Sequence, residues 1–268
     1  MSNAVVIGNG ESRSWYCPSH QTFGVPVTTW GCNAIHRDGL PDNLVAVDYG
    51  MQQEIYETNN WRDTQCWFAN WSILPAEVAA VMFMGYDIPE AFIHRNSKVT
   101  DRCVISGKDP VTVNEKIETA IKMHPHLDMK DLRAKMEKDV GVWITYVEDD
   151  DNINTIDFPI GWSAGNTALY LACQSGAKEV YILGFDLSSY DEPLNNIYKG
   201  TDNYLSGDAK GFNPTNWVNQ MQTVFTEYSK TQFYWVDAIH RKGEVTNVKN
   251  NNVRYLTKTD FCDTLKIL

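Results

Sequence analysis

The stretch 161–186, GWSAGNTALYLACQSGAKEVYILGFD, constrains the fold more than any other part of the chain. Ala164, Ala168, Leu171 and Ala172 fall on one face of a helix, and Ser163 before them is of the type that caps a helix start. Gly176 ends that helix, and the apolar run at 180–183 has the length of a strand buried on both faces. A helix that feeds a buried strand through so few residues belongs to a βαβ unit, which makes the strand parallel to its neighbours. Other short apolar runs, at 5–7, 27–30, 44–47, 65–69 and 232–236, also read as strands, most of them ending at Gly, Asn or Asp. Helices are predicted at 51–57, at 75–83, and from Asn213-Pro214 through Tyr228, where Trp217, Met221, Val224, Phe225 and Tyr228 share a face. The fold class is therefore α/β, a mostly parallel sheet with helices on both faces.

Two segments interrupt this alternation. Residues at about 84–155 read as a helical insertion, with Val113, Ile117, Ala120 and Ile121 on one helix face and the acidic run 148–151 near its end. Residues 187–212 are polar and aperiodic, and a loop of that length within a compact domain reads as a lid. The 268 residues otherwise fit a single domain. A net charge of −11 opposes binding to nucleic acid or anionic membranes but leaves room for one small anion at a local positive site. The six cysteines show no C-x-x-C or zinc spacing, no apolar run reaches membrane-spanning length, and the N-terminus carries no signal pattern. The expectation is a cytoplasmic protein with free thiols, no membrane span and self-association left open.

In parallel sheets of this kind, ligands bind at the carboxyl ends of the strands. That rule gathers Gly8-Asn9-Gly10, Asn33, Asp48, Gly184-Phe185-Asp186 and Asp237 along one edge. Gly8, Asn9 and Gly10 offer a tight turn with exposed N–H groups, and Ser12 and Arg13 add a hydroxyl and a positive charge. The loop lacks the third glycine of a dinucleotide fingerprint and the Gly-Lys-Ser/Thr of a P-loop, so a turn that needs glycine for its own geometry explains it equally well. Asn33 suits a base, a sugar or a phosphate oxygen. Asp48 and Asp186 suit a ribose hydroxyl, a metal-bound water or a helix cap.

Taken together, VVIGNGESRS (5–14), WGCNAIHRD (30–38), NLVAVDYG (43–50) and the 163–187 block resemble, in content and order, the bacterial sialyltransferases of glycosyltransferase family 42. They are also similar to the related archaeal 6-hydroxymethylpterin pyrophosphokinase and flagellin-glycosylation proteins. The resemblance covers residues 4–50 and 161–190. It implies a Rossmann-like sheet, a cytidine-monophosphate-linked sugar as donor substrate, a carbohydrate acceptor and no metal. It also implies donor contacts from Asn9 and Asn33 and from the turn at Ser163, Ala164 and Gly165. Two lid tyrosines, here Tyr190 and Tyr198, would hold the donor phosphate. The family's base is a lid histidine, and residues 187–215 contain none.

The expected function is thus a metal-independent nucleotide-sugar glycosyltransferase. Gly8, Asn9, Gly10, Ser12, Asn33, Asp48, Ser163, Ala164, Gly165, Tyr190 and Tyr198 bind the substrate, and His240 and Asp186 are the catalytic candidates. His240 lies four residues past the strand at 232–236, beside Arg241 and Lys242, and an imidazole suits proton removal near neutral pH. The alternatives are a magnesium-dependent phosphotransferase of the pyrophosphokinase type, using carboxylates such as Asp48 or Asp186, and a noncatalytic nucleotide- or glycan-binding module.

Overall fold

A computed structural model describes residues 2–69, 152–156, 162–187, 193–211, 213–237 and 250–267. The chain divides into two compact units, Met1–Ala69 with Asn154–Leu268, and Asn70–Ile153. The sheet and its helices belong to the first, apart from Ile153 at the start of one edge strand. The helix expected at 75–83, the acidic run 148–151 and all but the last four residues of the insertion expected at about 84–155 lie outside the described residues.

The elements, in order, are β1 (Asn3–Ile7), β2 (Val27–Cys32), β3 (Asn43–Ala46), α1 (Tyr49–Glu57), β4 (Gln65–Ala69), β5 (Ile153–Ile156), α2 (Ala164–Gln174), β6 (Glu179–Leu183), α3 (Thr215–Glu227), β7 (Gln232–Val236), β8 (Val253–Leu256) and α4 (Lys258–Leu265). They build an eight-stranded sheet in the order β5-β4-β3-β2-β1-β6-β7-β8. From β4 through to β8 every neighbouring pair is parallel. This is the expected Rossmann-like α/β architecture. Among the described residues no helix is long and apolar enough to cross a membrane.

Alternation along the strands separates the two faces. Val6, Ile182 and Trp235 stand side by side in register and pack with Ala168, Leu171, Ala172, Val224 and Phe225 of α2 and α3. One residue earlier, Val5, Tyr181 and Tyr234 are neighbours in the same way. There the Tyr181 ring stacks on Tyr234 with centroids 4.9 Å apart and meets Phe261 of α4 at 5.7 Å. Helices therefore cover both faces.

Local signals explain most boundaries. Ser163 Oγ accepts a hydrogen bond from Asn166 N at 3.3 Å, so it caps α2 as its type suggests. Gly176 adopts a φ of +92°, the left-handed geometry that ends a helix. Helix α3 begins one residue later than Asn213-Pro214 implies: Pro214 is the N-cap, and Asn213 Oδ1 reaches past it to accept from Thr215 N at 2.9 Å. β8 and α4 escape pattern reading. β8 is a four-residue edge strand with Arg254 and Tyr255 exposed, so it shows no apolar run. The start of α4 does carry a signal, Thr257 followed by Asp260, whose N–H donates to Thr257 Oγ1 at 3.1 Å.

Candidate functional site

The chain winds outward from β1 through β2, β3, β4 and β5, then returns to the other side of β1 as β6. The connections leaving β1 and β6 diverge, which opens a crevice at the carboxyl ends of the strands, the usual ligand position in such sheets. The two loops meet closely at its base. Gly8 N donates to Leu183 O and Gly10 N to Gly184 O, both at 2.8 Å. A Cβ on Gly8 would lie 2.5 Å from Gly184 O, and one on Gly10 2.5 Å from Asp186 Oδ2. Gly184 itself has a φ of +64°. The approach of the two halves of the sheet thus demands glycine here whether or not a ligand is bound.

The crevice has a volume of about 150 Å³. One water needs about 10–15 Å³ by the same measure, so the space suits an organic ligand rather than a structural solvent molecule. The first loop contributes Gly8, Asn9 and Gly10, and the end of β2 contributes Cys32 and Asn33. The start of α2 contributes Ser163, Ala164, Gly165 and Asn166, and the end of β6 contributes Gly184, Phe185, Asp186 and Leu187. Asn195 and Asn196 enter from the lid, and Trp217 and Met221 from α3. Five of these residues are asparagines, one is an aspartate, and none is Lys, Arg or His. Burial pushes the Cys32 thiol up to about 12, which keeps it protonated and unreactive at neutral pH.

Most predicted site residues therefore converge. Gly8, Asn9, Gly10, Asn33, Ser163, Ala164, Gly165 and Asp186 all border one space. Their roles differ from one another. Both N–H groups of the Asn9 amide are engaged, with Tyr204 Oη at 3.0 Å and Cys32 O at 3.3 Å. Asn33 holds a φ of +53° and its Oδ1 is buried without a hydrogen-bond partner. Asp186 is buried, and its Oδ2 accepts from Ser12 N at 2.7 Å. Ser12 contributes this backbone N–H; it does not border the crevice.

Arg13 turns away from the site. It is 1% exposed, and its guanidinium donates to Gly8 O at 2.5 Å, Tyr198 Oη at 2.8 Å, Tyr16 O at 3.3 Å and Asn9 Oδ1 at 3.4 Å. Asp38 is its ion-pair partner at 3.4 Å. Tyr198 completes the knot by donating to Asp38 Oδ2 at 2.5 Å, so its hydroxyl is engaged behind the first loop and does not face the crevice. Burial raises the pKa of the Tyr198 and Tyr204 hydroxyls, so both stay protonated. Asp48 stands at the N-cap position of α1 but makes no side-chain cap bond; it is exposed and does not border the crevice. Tyr190 and His240 lie outside the described residues.

The lid is docked. Ile197 N donates to Asn9 O at 2.9 Å, and Glu11 N donates to Asn195 Oδ1 at 2.8 Å. Lys199 pairs with Glu11. On the far side, Glu54 of α1 accepts twice from Arg37 at 2.6 Å and once from Asn203 at 2.8 Å, and Arg37 reaches Thr201 Oγ1 at 2.7 Å.

The start of α2 is held from α3. Gln220 Oε1 accepts from Ser163 N at 3.2 Å, Ser163 Oγ at 3.3 Å and Asn166 Nδ2 at 3.0 Å. Within α2, Ser163 serves the N–H groups of Asn166 and Thr167. Those of Ala164 and Gly165, at the crevice, are the first-turn pair that this cap does not use. Sequence reasoning missed Asn166, Asn195, Asn196, Trp217 and Met221. Trp217 and Met221 look like core positions of an amphipathic helix. Asn166, a polar residue just inside an otherwise apolar helix start, is the one of these whose sequence position carries a signal for a site. No protein-family model matches the chain, and neither does any curated protein sequence or any solved structure.

Proposed function

We propose that the crevice binds a nucleotide-linked sugar and that the protein is a glycosyltransferase of the sialyltransferase-like type, acting without a metal. One observation carries the reading. The start of α2, with the Ala164 and Gly165 N–H groups unused by its cap, opens on an amide-rich crevice at the switch point of the sheet. Backbone N–H groups and the helix dipole suit a phosphate where, among the described residues, no cationic side chain borders the space. The asparagines suit sugar and base hydroxyls and amines, and Phe185 and Trp217 offer apolar surface. In the transfer, the acceptor hydroxyl oxygen bonds to the anomeric carbon as the bond from that carbon to the phosphate oxygen breaks. The hydroxyl proton passes to a base, for which Asp186 is the carboxylate at hand and His240 the second candidate. The phosphate leaves with the negative charge, which the start of α2 stabilises.

The decisive test is a thermal-shift screen of CMP, CDP, UDP, GDP and ATP with and without magnesium, followed by assay of donor hydrolysis. Stabilisation by CMP or CDP without metal, with turnover of the CMP-linked sugar, is the expected result. Stabilisation only by ATP with magnesium would replace this reading with a phosphotransferase. A shift without any turnover would leave a binding module.

A further inference from the structure

We infer that the lid keeps the Asn9 side chain self-satisfied: Tyr204, itself outside the crevice lining, takes the amide N–H that a ligand in the crevice would use. The inference rests on the reading of the crevice as a nucleotide site. Asn9 borders the crevice, yet its amide is fully engaged within the protein. One N–H donates to Tyr204 Oη at 3.0 Å and the other to Cys32 O at 3.3 Å, while Oδ1 receives Arg13 at 3.4 Å. The Cys32 and Arg13 bonds belong to buried groups of the scaffold. The Tyr204 bond alone comes from the lid, 195 residues away in the chain. It is therefore the bond that can be exchanged: a ligand oxygen accepting from Asn9 Nδ2 must replace the Tyr204 hydroxyl. Ala34 N also points at that hydroxyl, at 3.4 Å, so its departure frees a second donor beside the first.

The exchange is local. Thr201, Asp202 and Asn203, immediately before Tyr204, stay tied to Arg37 and Glu54. The Tyr204 ring lies 5.7 Å from that of Tyr198 and 5.9 Å from the Arg37 guanidinium. Residues 201–203 therefore keep their seat while the Tyr204 ring turns to take its hydroxyl off Asn9. A site whose competent form is only partly populated binds its ligand more weakly by that fraction. Removing the competing hydroxyl raises affinity.

The test is titration calorimetry of CMP, UDP and ATP against the parent, Tyr204→Phe and Asn9→Ala, and the double variant. Tyr204→Phe keeps the ring and its packing. The nucleotide bound best by the parent should bind Tyr204→Phe about threefold to tenfold more tightly, the range one net hydrogen bond allows. Asn9→Ala should bind it more weakly, and adding Tyr204→Phe to Asn9→Ala should raise affinity by less than it does in the parent, since only Ala34 N is then freed. A merely structural role for the hydroxyl predicts weaker binding in Tyr204→Phe. Unchanged or weaker binding there overturns the latch while leaving the nucleotide site standing. If none of the proteins binds any of the three nucleotides, both fail.

Discussion

The first loop and the start of α2 face each other across the crevice, and they are built on opposite principles. In the first loop, residues 8–13, nearly every polar group turns inward: the N–H groups of Gly8, Gly10, Glu11 and Ser12 donate to Leu183, Gly184, Asn195 and Asp186, and the Arg13 guanidinium is buried. At the start of α2, Ser163 and Gln220 fix the turn from behind, and the cap leaves over the N–H groups that border the crevice. The glycine-bearing segment that most resembles a phosphate loop is thus a brace, closing the two halves of the sheet and seating the lid. On the proposed reading, the backbone donors that meet the phosphate come from the helix, and the first loop offers the ligand only the Asn9 side chain.

The sharpest way to break this comparison is to remove the brace. Arg13→Met leaves the acceptors at Gly8 O, Tyr16 O and Asp38 without their buried cation, and should cost about 3 kcal/mol in chemical denaturation. A stable Arg13→Met protein would mean that the buried guanidinium does not brace the first loop. Gly8→Ala should cost about 2 kcal/mol, because its methyl group meets the Gly184 carbonyl; measured stability equal to the parent would dissolve the close contact between the loops. Ser163→Ala removes a helix cap and should cost about 1 kcal/mol, with a larger proportional loss of CMP affinity than of stability. Equal affinity in that variant would move the anion site away from α2.

The smallest effect concerns the lid that rests on the brace. Desolvation pushes the Glu54 carboxyl up, but hydrogen bonds from Arg37 and Asn203, with the Arg37 and His36 charges, outweigh it and hold the pKa below its usual value. The clasp therefore gives its full stabilisation above the ordinary glutamate range of about 4.3 and loses it as the pH falls below that value through the lowered folded pKa. Hydrogen exchange at 193–211 should be slow from pH 7 down to about 5 and accelerate on further acidification, beyond the chemical dependence of the exchange itself. Glu54→Gln should abolish that extra acceleration; if the variant retains it, another group holds the lid.

What the sequence reveals about this molecule follows the range of the forces. Apolar runs ended by glycine mark β1 and β6, and the Ser163 cap and Gly176 stop bracket α2, because each depends on neighbours a few residues away. The carboxyl-edge rule then brings Asn9, Asn33 and Asp186 to one place with no knowledge of side-chain contacts, though it also draws in Asp48, which lies off the crevice; Ser163 comes from the resemblance alone. The brace is not legible in this way. Arg13 reads as a phosphate ligand in isolation, since its burial depends on acceptors at Gly8, Tyr16, Asp38 and Tyr198, the last 185 residues away. Tyr204, Asn195 and Asn196 sit in a polar, aperiodic stretch in which no local rule distinguishes a docked side chain from a solvated one.

The pairing of β1 with β6 also sets an order of events during synthesis. Asn3 to Ile7 lie in register with Glu179 to Leu183, so the central strand of the sheet gains its second neighbour only after most of the chain has left the ribosome. Until then β1 can pair with β2 alone, and Gly8 and Gly10 have no carbonyls at Leu183 and Gly184 to bond. The crevice is consequently among the last features to form. A nascent chain arrested before residue 179 would carry the first half of the sheet with an open central edge, the surface that a chaperone, or a second unfinished chain, would recognise.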